Sequence, residues 1–279
     1  MLQDASDVLK GAWNSGYREN KEVSCKIMNS FENLDSFGEN LNVVIFGCTG
    51  GIGQALMHSL SQNPRTKSIF AISRAPNNYS TQKVTTLKAD IGKEDDIIRA
   101  AKSIQSTVGE LHLVLIATGI LHDGDEIKPE KTWRALNPNS LAAVFSINAF
   151  GPAIIAKHFL PLLAHKRKSV FAALSARVGS IEDNRLGGWY AYRASKAALN
   201  MLIRTFSVEL ARLNPFALCV GLHPGTVDTL LSKPFQGSVS NSSLFSAERS
   251  ANHLLNVVND LGPEHSGRVF AWNGELIPF

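Results

Sequence analysis

The feature that most constrains the fold is a glycine-rich turn at residues 47–53, which read GCTGGIG. An apolar run, Asn42–Phe46, leads directly into this turn, and a helix-like segment follows at about residues 51–63. Glycine permits a tight turn and a close approach of the backbone to a pyrophosphate, and the N-terminus of the next helix offers free N–H groups to that anion. A plain structural turn is the alternative, but strand, turn and helix in this order favour a nucleotide-binding βαβ unit.

Apolar, strand-like runs and helix-like segments alternate along the rest of the chain. Val and Ile recur in the runs and few charges interrupt them, as is typical of parallel strands buried on both faces. The runs are Asn42–Phe46, Ser68–Ile72, Lys83–Lys88, Leu111–Ala117, Ser169–Leu174, Phe216–Leu222 and Arg268–Trp272. The helical segments lie at about 51–63, 93–107, 138–165, 190–213 and 246–261. This alternation predicts the α/β class, as a single doubly wound Rossmann domain with a mainly parallel, seven-stranded sheet.

The beginning of the chain differs from the rest, because it is polar and weakly periodic and contains no strong strand pattern. We therefore predict an N-terminal extension over residues 1–40, partly helical or disordered, followed by the Rossmann domain over residues 41–279. Met28 is an alternative start of the chain, which the sequence does not decide.

Composition and charge exclude several function classes. Of the 279 residues, 44% are hydrophobic, yet no apolar run approaches the ~20 residues that span a bilayer, so we expect no membrane partner. Cys25, Cys48 and Cys219 form no CxxC pair, which favours a reducing, cytoplasmic location. The basic run at residues 165–168 is interpreted as a solvated helix C-terminus, not a nucleic-acid patch. Eight scattered histidines without an HExxH motif predict no metal site.

The end of the second strand-like run bears on which dinucleotide the glycine turn binds. Sites that prefer NAD place an acid there, which accepts a hydrogen bond from the ribose 2′-hydroxyl. Here the run ends at Ser73-Arg74, and no Asp or Glu follows until Asp90. A guanidinium at Arg74 pairs well with a 2′-phosphate, and Ser73 adds a hydroxyl donor. We predict that NADP(H) is preferred, with NAD(H) as the alternative; an exposed arginine without a role is the other interpretation.

A phenol and an ammonium stand four residues apart in Tyr192-Arg193-Ala194-Ser195-Lys196. Residues i and i+4 lie on one face of a helix, so the two groups are expected to be neighbours. Free tyrosine titrates near ~10 and is a poor acid at neutral pH. A nearby cation favours the phenolate, so we predict that Lys196 lowers the pKa of Tyr192 and tunes it as a proton donor. Taken alone, the pair fits an ordinary helix surface equally well.

Further motifs occur in order around this pair. Ser175 follows the fifth run, Asn148 lies in the long preceding helix, and a His-Pro-Gly turn at residues 223–225 follows the sixth run. With the G-x-x-x-G-x-G spacing of residues 47–53, this pattern resembles the short-chain dehydrogenase/reductase family over about residues 42–230. The segments most similar to its C-factor-like and sniffer-like carbonyl reductases are 174–180 (LSARVGS), 189–196 (WYAYRASK) and 231–235 (LSKPF).

The resemblance implies an oxidoreductase that transfers a hydride between NADP(H) and a small-molecule carbonyl or alcohol. It implies that Tyr192 donates the proton and that Ser175 hydrogen-bonds the substrate carbonyl. It also implies that Lys196 binds the nicotinamide ribose and that Asn148 anchors a water that resupplies the proton through Lys196. The cofactor-binding positions, from the resemblance and the arguments above, are Gly47, Thr49, Gly50, Gly51, Ile52, Gly53, Ser73, Arg74, Asp90, Ile91, Gly119, Tyr192, Lys196, Pro224, Gly225, Val227 and Thr229.

Two positions depart from the family pattern. Phe46 stands before the first glycine, where the family usually has Thr. Residues 116–119 read IATG in place of Asn-Asn-Ala-Gly, so Gly119 is kept and the asparagines are not. Since those asparagines mainly give structural support, we expect altered local hydrogen bonding and retained activity.

The substrate is less constrained than the chemistry. Residues 230–246 are expected to form a lid, in which Phe235 and Phe245 cover an apolar group. Further candidates for substrate contact are Arg177, Arg185 and Trp189.

Two other function classes stay open. A non-catalytic NADP(H)-binding regulator would share the fold, but such proteins typically lack one of the four catalytic side chains, and all four are present. Sugar-nucleotide epimerases share the Tyr-x-x-x-Lys pair but usually carry a larger C-terminal domain, whereas only about 50 residues follow the Pro-Gly turn. A homo-oligomer, dimer or tetramer, is expected through the helices at 138–165 and 190–213, which pair in proteins of the family.

Overall fold

The structure, a computed structural model, describes residues 34–279 except positions 78, 80, 125, 239 and 241. The predictions for residues 1–33, including the alternative start at Met28, lie outside the described residues.

A central sheet organises the domain. The strands among the described residues are β1 (Leu41–Phe46), β2 (Thr66–Ser73), β3 (Val84–Lys88), β4 (Leu113–Ile116), β5 (Ser169–Leu174), β6 (Ala217–His223), β7 (Thr226–Val227), β8 (Leu244–Phe245), β9 (Val269–Ala271) and β10 (Leu276–Ile277). The main sheet has the order β10-β9-β6-β5-β4-β1-β2-β3, and its pairs are parallel except β9 with β10. The order reverses between β1 and β4, as in a doubly wound Rossmann fold, so the predicted fold class is confirmed.

The predicted number of strands is wrong by one, because the main sheet has eight. The additional strand, β10, is two residues long and pairs antiparallel with β9, Leu276 opposite Phe270 and Ile277 opposite Val269. A two-residue strand leaves no run in the sequence that a period of two can reveal. The pair closes one edge of the sheet and buries Ile277.

Helices cover both faces of the sheet. They are α1 (Gly51–Gln62), α2 (Glu94–Val108), α3 (Pro138–Phe145), α4 (Gly151–Phe159), α5 (Tyr190–Leu213) and α6 (Ala247–Asp260). Leu56 of α1 and Leu254 of α6 belong to one buried cluster. Ile97 of α2, Ile155 of α4 and Ile203 of α5 belong to the second. The central strands β1, β4, β5 and β6 therefore have apolar cover on both sides, as their continuous apolar sequences predict, whereas the edge strand β3 is partly exposed.

The helix predicted over 138–165 is not continuous. A π-helical turn, Ser146–Phe150, separates α3 from α4, and the Gly151 N–H donates to the Ser146 carbonyl five residues back. Pro152 explains the interruption, because it has no N–H for the Asn148 carbonyl four residues before it. Asn148 is fully buried in this turn.

The prediction that no segment is long and apolar enough to span a membrane is wrong for this stretch. Pro138–Leu162 passes that test by length and composition, the one such stretch among the described residues. Its α4 packs Ile155 and Phe159 into the core of the domain. The core helix of a water-exposed domain passes the same test, so the finding is weak evidence for a span.

The basic run at 165–168 was predicted to be a solvated helix C-terminus, but only its first half is solvated. His165 and Lys166 are exposed, whereas Arg167 Nη1 donates to the Glu39 carbonyl at 2.6 Å. Lys168 Nζ donates to the last carbonyls of α6, at 2.8 Å and 2.6 Å, and to Ser36 Oγ at 2.9 Å. The run therefore joins the end of α6 to the segment before β1, where Leu34 and Phe37 are buried in the core.

His112 completes this group at the amino ends of the strands. Its Nδ1 accepts from the Asn42 N–H at 3.0 Å, and its Nε2 contacts the Arg167 guanidinium. Burial, reinforced by the Arg167 charge, lowers the pKa of His112 to about 4. We call His112, Arg167 and Lys168 the amino-edge cluster.

Candidate active site

The glycine turn connects β1 to α1 at the carboxyl edge of the sheet. Gly47 has φ 82°, a conformation that L side chains rarely adopt. A Cβ at Gly53 would lie 2.2 Å from the Gly47 carbonyl oxygen, so the turn requires glycine there too. Helix α1 follows Gly50 with no side-chain cap and no acid in its first turn. Its first N–H groups are therefore available to an anion.

The Pro-Gly turn after β6 lies against the same helix start. A Cβ at Gly51 would lie 2.8 Å from Thr229 Cγ2, which places Thr229 directly over the glycine turn. Val227 is buried in β7, and the Pro224 carbonyl accepts from Ser250 Oγ at 2.8 Å. Of the other turn positions, Thr49 and Gly50 are exposed and Ile52 is half-buried.

The ends of β2 and β3 carry the residues predicted to contact the adenosine side of a dinucleotide. Arg74 is exposed immediately after β2. The Ser73 hydroxyl is buried beside the Cys48 thiol and makes no conventional hydrogen bond to the described residues. After β3, Asp90 Oδ1 accepts from the backbone N–H two residues on at 3.0 Å, and Ile91 is buried. The carboxylate of Asp90 thus stabilises its own turn.

Helix α5 begins at an unusual local conformation. Gly187, Gly188 and Trp189 have φ of 63°, 65° and 49°, so three successive residues are left-handed. Glu130, which is buried, accepts from the Trp189 N–H through its backbone carbonyl at 2.6 Å and from the Ala191 N–H through Oε2 at 3.1 Å. These two bonds stabilise a conformation that a tryptophan rarely adopts.

Tyr192 and Lys196 lie one turn apart on α5, as predicted. Lys196 is 3% exposed, and its Nζ lies 5.7 Å from the centroid of the Tyr192 ring. The same Nζ donates to the Leu174 carbonyl at 2.8 Å, at the end of β5. The ammonium therefore lies between the phenol and the strand end that carries Ser175.

The predicted direction of the Tyr192 pKa shift is wrong for this structure. Burial raises the pKa of Tyr192 to about 12, and burial lowers the pKa of Lys196 to about 8. Removal of water disfavours the charged form of each group. An i, i+4 spacing reveals that the groups are neighbours but not how dry their surroundings are. At neutral pH the phenol is therefore protonated.

Asn148 ties the π-helical turn to the neighbouring elements. Its carboxamide exchanges two hydrogen bonds with the Ile120 backbone, each 2.8 Å. Its Nδ2 also donates to Ser195 Oγ at 3.1 Å, and Ser195 Oγ donates to the Tyr192 carbonyl at 2.8 Å. A Cβ at Gly119 would lie 3.5 Å from Asn148 Oδ1 and 3.7 Å from Lys196 Nζ. Gly119 thus leaves space directly beside these two polar groups.

Ser175 follows β5 and is 3% exposed. Its backbone N–H donates to the Leu222 carbonyl at 2.8 Å, and its Oγ donates to Asn200 Oδ1 at 2.6 Å. Asn200 was not singled out in the sequence, although its spacing of four from Lys196 places it on the same face of α5. Glu130 carries no such signal, because its contact to α5 joins distant parts of the chain.

Aromatic rings gather beside Tyr192. Phe235, on the 3₁₀ turn Lys233–Ser238, packs edge-on against Trp189 at 5.1 Å and against His122 at 5.6 Å between centroids. Trp189 in turn lies 6.3 Å from the Tyr192 ring. His122 Nε2 donates to the Leu230 carbonyl at 3.2 Å. The first part of the predicted lid therefore approaches Tyr192 through Phe235.

The other predicted substrate contacts have different roles. Phe245 is 4% exposed and packs against Trp272 at 4.7 Å, so it belongs to the packing behind the Pro-Gly turn and not to a lid. Arg177 Nη1 pairs with Asp183 Oδ2 at 3.1 Å, and Arg185 Nη1 donates to a backbone carbonyl at 2.8 Å. Both guanidinium groups are thus engaged within the protein.

His223 lies at the end of β6, at the carboxyl edge of the sheet. Burial lowers the pKa of His223 to about 4, so the imidazole is neutral at pH 7. Across the described ranges, no three His, Cys, Asp or Glu side chains are grouped to hold a metal ion.

The sequence matches the family model described as short chain dehydrogenase over residues 41–238. An uncharacterised oxidoreductase of Schizosaccharomyces pombe is 29% identical over 255 residues, which cover 84% of this chain and 96% of that protein. The C-signal protein of Myxococcus xanthus is 40% identical over 139 residues, which cover 50% of this chain and 78% of that protein.

Solved structures share the fold. The carbonyl reductase Sniffer of D. melanogaster has a TM-score of 0.76 at 23% identity, covering 86% of this chain and all of that one. A carbonyl reductase from chicken fatty liver, solved with NADPH bound, has a TM-score of 0.75 at 24% identity, covering 88% and 97%. The family predicted from the motifs is confirmed, and Sniffer carries one of the names of the subgroup that those motifs resemble. The chain belongs to the short-chain dehydrogenase family of oxidoreductases.

Proposed function

We propose that this protein reduces a small-molecule carbonyl, or oxidises the corresponding alcohol, with NADP(H) as its cofactor. The observation that carries the proposal is the position of Lys196 Nζ, 5.7 Å from the Tyr192 ring centroid and 2.8 Å from the Leu174 carbonyl beside Ser175. A proton donor, a cation and a second hydroxyl are thus gathered at the edge of the sheet where the glycine turn lies. This is the set of groups that carbonyl reduction uses.

The residues at this edge fit a dinucleotide. The uncapped start of α1 suits a pyrophosphate, and the space at Gly119 gives a ribose access to Lys196. Thr118 Oγ1, beside the glycine turn, is buried without a partner among the described residues, and a ligand bound at this edge would supply one. When bound, NADP(H) supplies or accepts the hydride. The residues proposed to hold NADP(H) are the cofactor-binding positions predicted from the sequence.

Tyr192 is the proposed proton donor in reduction. With its pKa raised to about 12, the phenol holds its proton at pH 7 and is in the donating form. Lys196, whose pKa is lowered to about 8, is still mainly charged at pH 7. A cation at this distance stabilises the phenolate as the proton leaves, which lowers the cost of the transfer.

Asn148 and Ser175 are proposed to complete the site. The Asn148 carboxamide uses both N–H groups within the protein, on Ile120 and Ser195. A water that resupplies the proton is therefore held by the Asn148 backbone carbonyl, which Pro152 leaves without its usual helical donor. Ser175 lies next to the carbonyl that Lys196 binds and faces the same edge.

The rings of His122, Trp189 and Phe235 suggest the substrate class. Trp189 lies next to Tyr192, and Phe235 and His122 continue from Trp189 as an apolar, aromatic wall with one imidazole. Such a wall suits a flat or apolar group attached to the carbonyl carbon. We therefore propose aromatic or otherwise apolar aldehydes, ketones and quinones as the substrates to test first.

The preference for NADP(H) is proposed on Arg74. The guanidinium is exposed immediately after β2, where a 2′-phosphate of a bound dinucleotide would lie in a fold of this type. Two of the solved neighbours, the chicken carbonyl reductase and a Burkholderia multivorans protein, are described with NADPH or NADP bound. NAD(H) is the alternative that a direct comparison of cofactors decides.

A turnover assay tests the proposal. Purified protein is incubated with NADPH or NADH and a panel of aldehydes, ketones and quinones, and the loss of absorbance of the reduced nicotinamide is followed. We expect turnover with NADPH on at least one apolar carbonyl. Tight binding of NADPH without turnover on any member of the panel would favour the non-catalytic regulator instead.

The described cysteines bear on the proposed location of the protein. Cys48 and Cys219 are both free and buried, which supports the proposed reducing, cytoplasmic setting.

Helix α5 exposes Met201 and Val208, and Phe150 is exposed at the end of the π-helical turn. These apolar side chains support the proposed dimer or tetramer through the two long helical stretches, which light scattering of the purified protein checks.

A further inference from the structure

Helix α5 holds the end of β5 through two side chains one turn apart. Lys196 Nζ binds the Leu174 carbonyl at 2.8 Å, and Asn200 Oδ1 accepts the Ser175 hydroxyl at 2.6 Å. Ser175 and Asn200 are 3% and 2% exposed, so water does not compete for this bond. A short bond between two dry groups fixes the side-chain rotamer of Ser175.

A third contact sets the orientation of the Asn200 amide. Its Nδ2 faces the Gly179 carbonyl at 3.4 Å, in the short turn that follows Ser175. If the amide were reversed, its oxygen would face that carbonyl oxygen, and two acceptors would repel each other. Asn200 therefore presents its oxygen, not its nitrogen, to Ser175. The single proton of the serine hydroxyl is committed to Asn200.

We propose that Asn200 is a positioning residue that sets both the place and the proton direction of Ser175; this inference rests on the proposed function. A hydroxyl whose proton is given inward offers only its lone pairs to the site. Ser175 in this unliganded state accepts hydrogen bonds from the site. For the donation to a substrate carbonyl that the family resemblance implies, the hydroxyl proton has to turn from Asn200 to the substrate, and Asn200 sets the position from which it turns.

The test is a double-mutant cycle between the two side chains. Asn200→Ala removes the acceptor and frees the Ser175 rotamer, and we expect kcat for carbonyl reduction to fall about tenfold, because the lost orientation outweighs the freed hydroxyl proton. The Kd for NADPH, measured by fluorescence titration, is expected to stay within about twofold, because the variant leaves the glycine turn intact. In a Ser175→Ala background, Asn200→Ala is expected to change kcat by less than about twofold.

Two further variants separate positioning from general damage. Asn214, directly after the end of α5, is also buried and donates from Nδ2 to the Ala164 carbonyl at 3.0 Å, at the end of the helix far from Ser175. Asn214→Ala is therefore the matched control, expected to lower stability and leave kcat unchanged. Asn200→Asp keeps an acceptor for Ser175, and only its protonated carboxyl can also donate to the Gly179 carbonyl, so kcat is expected to recover most at low pH. If Asn200→Ala does not fold, Asn200→Ser replaces it, since its shorter side chain does not reach Ser175.

The outcomes distinguish this inference from the proposed function. Full kcat in Asn200→Ala, or equal fold-losses in the wild-type and Ser175→Ala backgrounds, overturns the positioning role. If the wild-type protein reduces no carbonyl, the proposed function fails, and urea unfolding of the unliganded protein then decides the inference. We expect Asn200→Ala to shift the urea midpoint less when Ser175 is already alanine; equal shifts overturn the coupling.

Discussion

Two lysines, the half-buried Lys168 at one edge of the sheet and the buried Lys196 at the other, have similarly lowered pKa values and different surroundings. Burial lowers the pKa of both Lys168 and Lys196 to about 8. At the amino edge, Lys168 uses its three donors on Ser36 and on two carbonyls at the end of α6. At the carboxyl edge, Lys196 makes one hydrogen bond to the described residues, with the Leu174 carbonyl.

The difference teaches that a shifted pKa does not by itself identify a functional lysine. Loss of water lowers the pKa of both ammonium groups, although Lys168 is only half-buried and Lys196 is almost completely buried. What separates them is how many N–H groups the protein satisfies. A buried cation with unused donors beside an open space is prepared for a ligand, whereas one whose donors are all satisfied joins parts of the fold.

The largest expected effect is a loss of kcat from a substitution at the carboxyl edge of the sheet. Tyr192→Phe removes the proposed proton donor and is expected to lower kcat for reduction about 10²–10⁴-fold, the usual contribution of general acid catalysis. Binding of NADPH, followed by fluorescence, is expected to persist. Tyr190→Phe is the matched control, because it makes the same change two residues earlier on α5. Turnover by Tyr192→Phe equal to that of Tyr190→Phe would contradict the assignment.

The next largest effect is a pH dependence of stability caused by His112 at the amino edge of the sheet. The pKa of His112 is 6.5 when free and about 4 in the fold, so between these pH values the unfolded chain binds a proton that the folded chain does not. Stability therefore falls as the pH falls through this window and levels off below it, by about 3 kcal/mol at most for this group.

Urea unfolding at pH 7, 6, 5 and 4 measures that loss. His112→Asn retains an acceptor near the position of Nδ1 and does not titrate, so its unfolding free energy is expected to depend less on pH. Part of the dependence is expected to remain, because the pKa of His223 is also lowered to about 4. Identical pH profiles for the variant and the wild type would show that His112 is not responsible.

A paired substitution tests the comparison of the lysines directly. Lys168→Met leaves two carbonyls of α6 without their donor and is expected to cost about 2 kcal/mol of stability, with kcat unchanged. Lys196→Met removes a buried charge and is expected to leave stability unchanged or higher, while kcat falls at least about tenfold. Thermal unfolding measures the stability of both variants, and initial rates measure their kcat; we expect each variant to lose only one of the two. A loss of stability in Lys196→Met as large as in Lys168→Met would remove the distinction.

The smallest effect concerns the cofactor at the carboxyl edge. Arg74→Ala is expected to reduce the preference for NADPH over NADH about tenfold or more, since one charge-assisted hydrogen bond to the 2′-phosphate is lost. The ratio of kcat/KM for the two cofactors is the measurement. Arg212→Ala, an exposed arginine at the far end of α5, serves as the control. An unchanged ratio in Arg74→Ala would mean that another group selects the cofactor.

Local patterns in the sequence predicted much of the fold. The run Ser169–Leu174 is β5 without change, because its apolar residues are contiguous and buried on both faces. The glycine turn is also local, since φ at Gly47 and the close approach at Gly53 depend on residues within the same loop. Lys196 is adjacent to Tyr192 because a helix fixes that spacing.

The missed features depend on contacts between distant parts of the chain. The left-handed Trp189 is stabilised by Glu130, from the loop after β4, and no residue near Trp189 signals that bond. Strand β10 exists because β9 offers it an edge. The direction of the Tyr192 pKa depends on how much water the folded chain excludes, which spacing along a helix does not encode.

The π-helical turn at Ser146–Phe150 has a consequence for how this stretch tolerates change in length. A π turn contains one residue more than the α turn it replaces. Deleting one residue here would convert the π turn into an α turn, and because the two turns sweep similar angles, α4 would keep its rotation relative to α3. Ile155 and Phe159 would then still face the core. The wider turn that holds the buried Asn148 would be lost, however. A single deletion in this stretch is therefore expected to disturb the site at Asn148 more than the packing of the core.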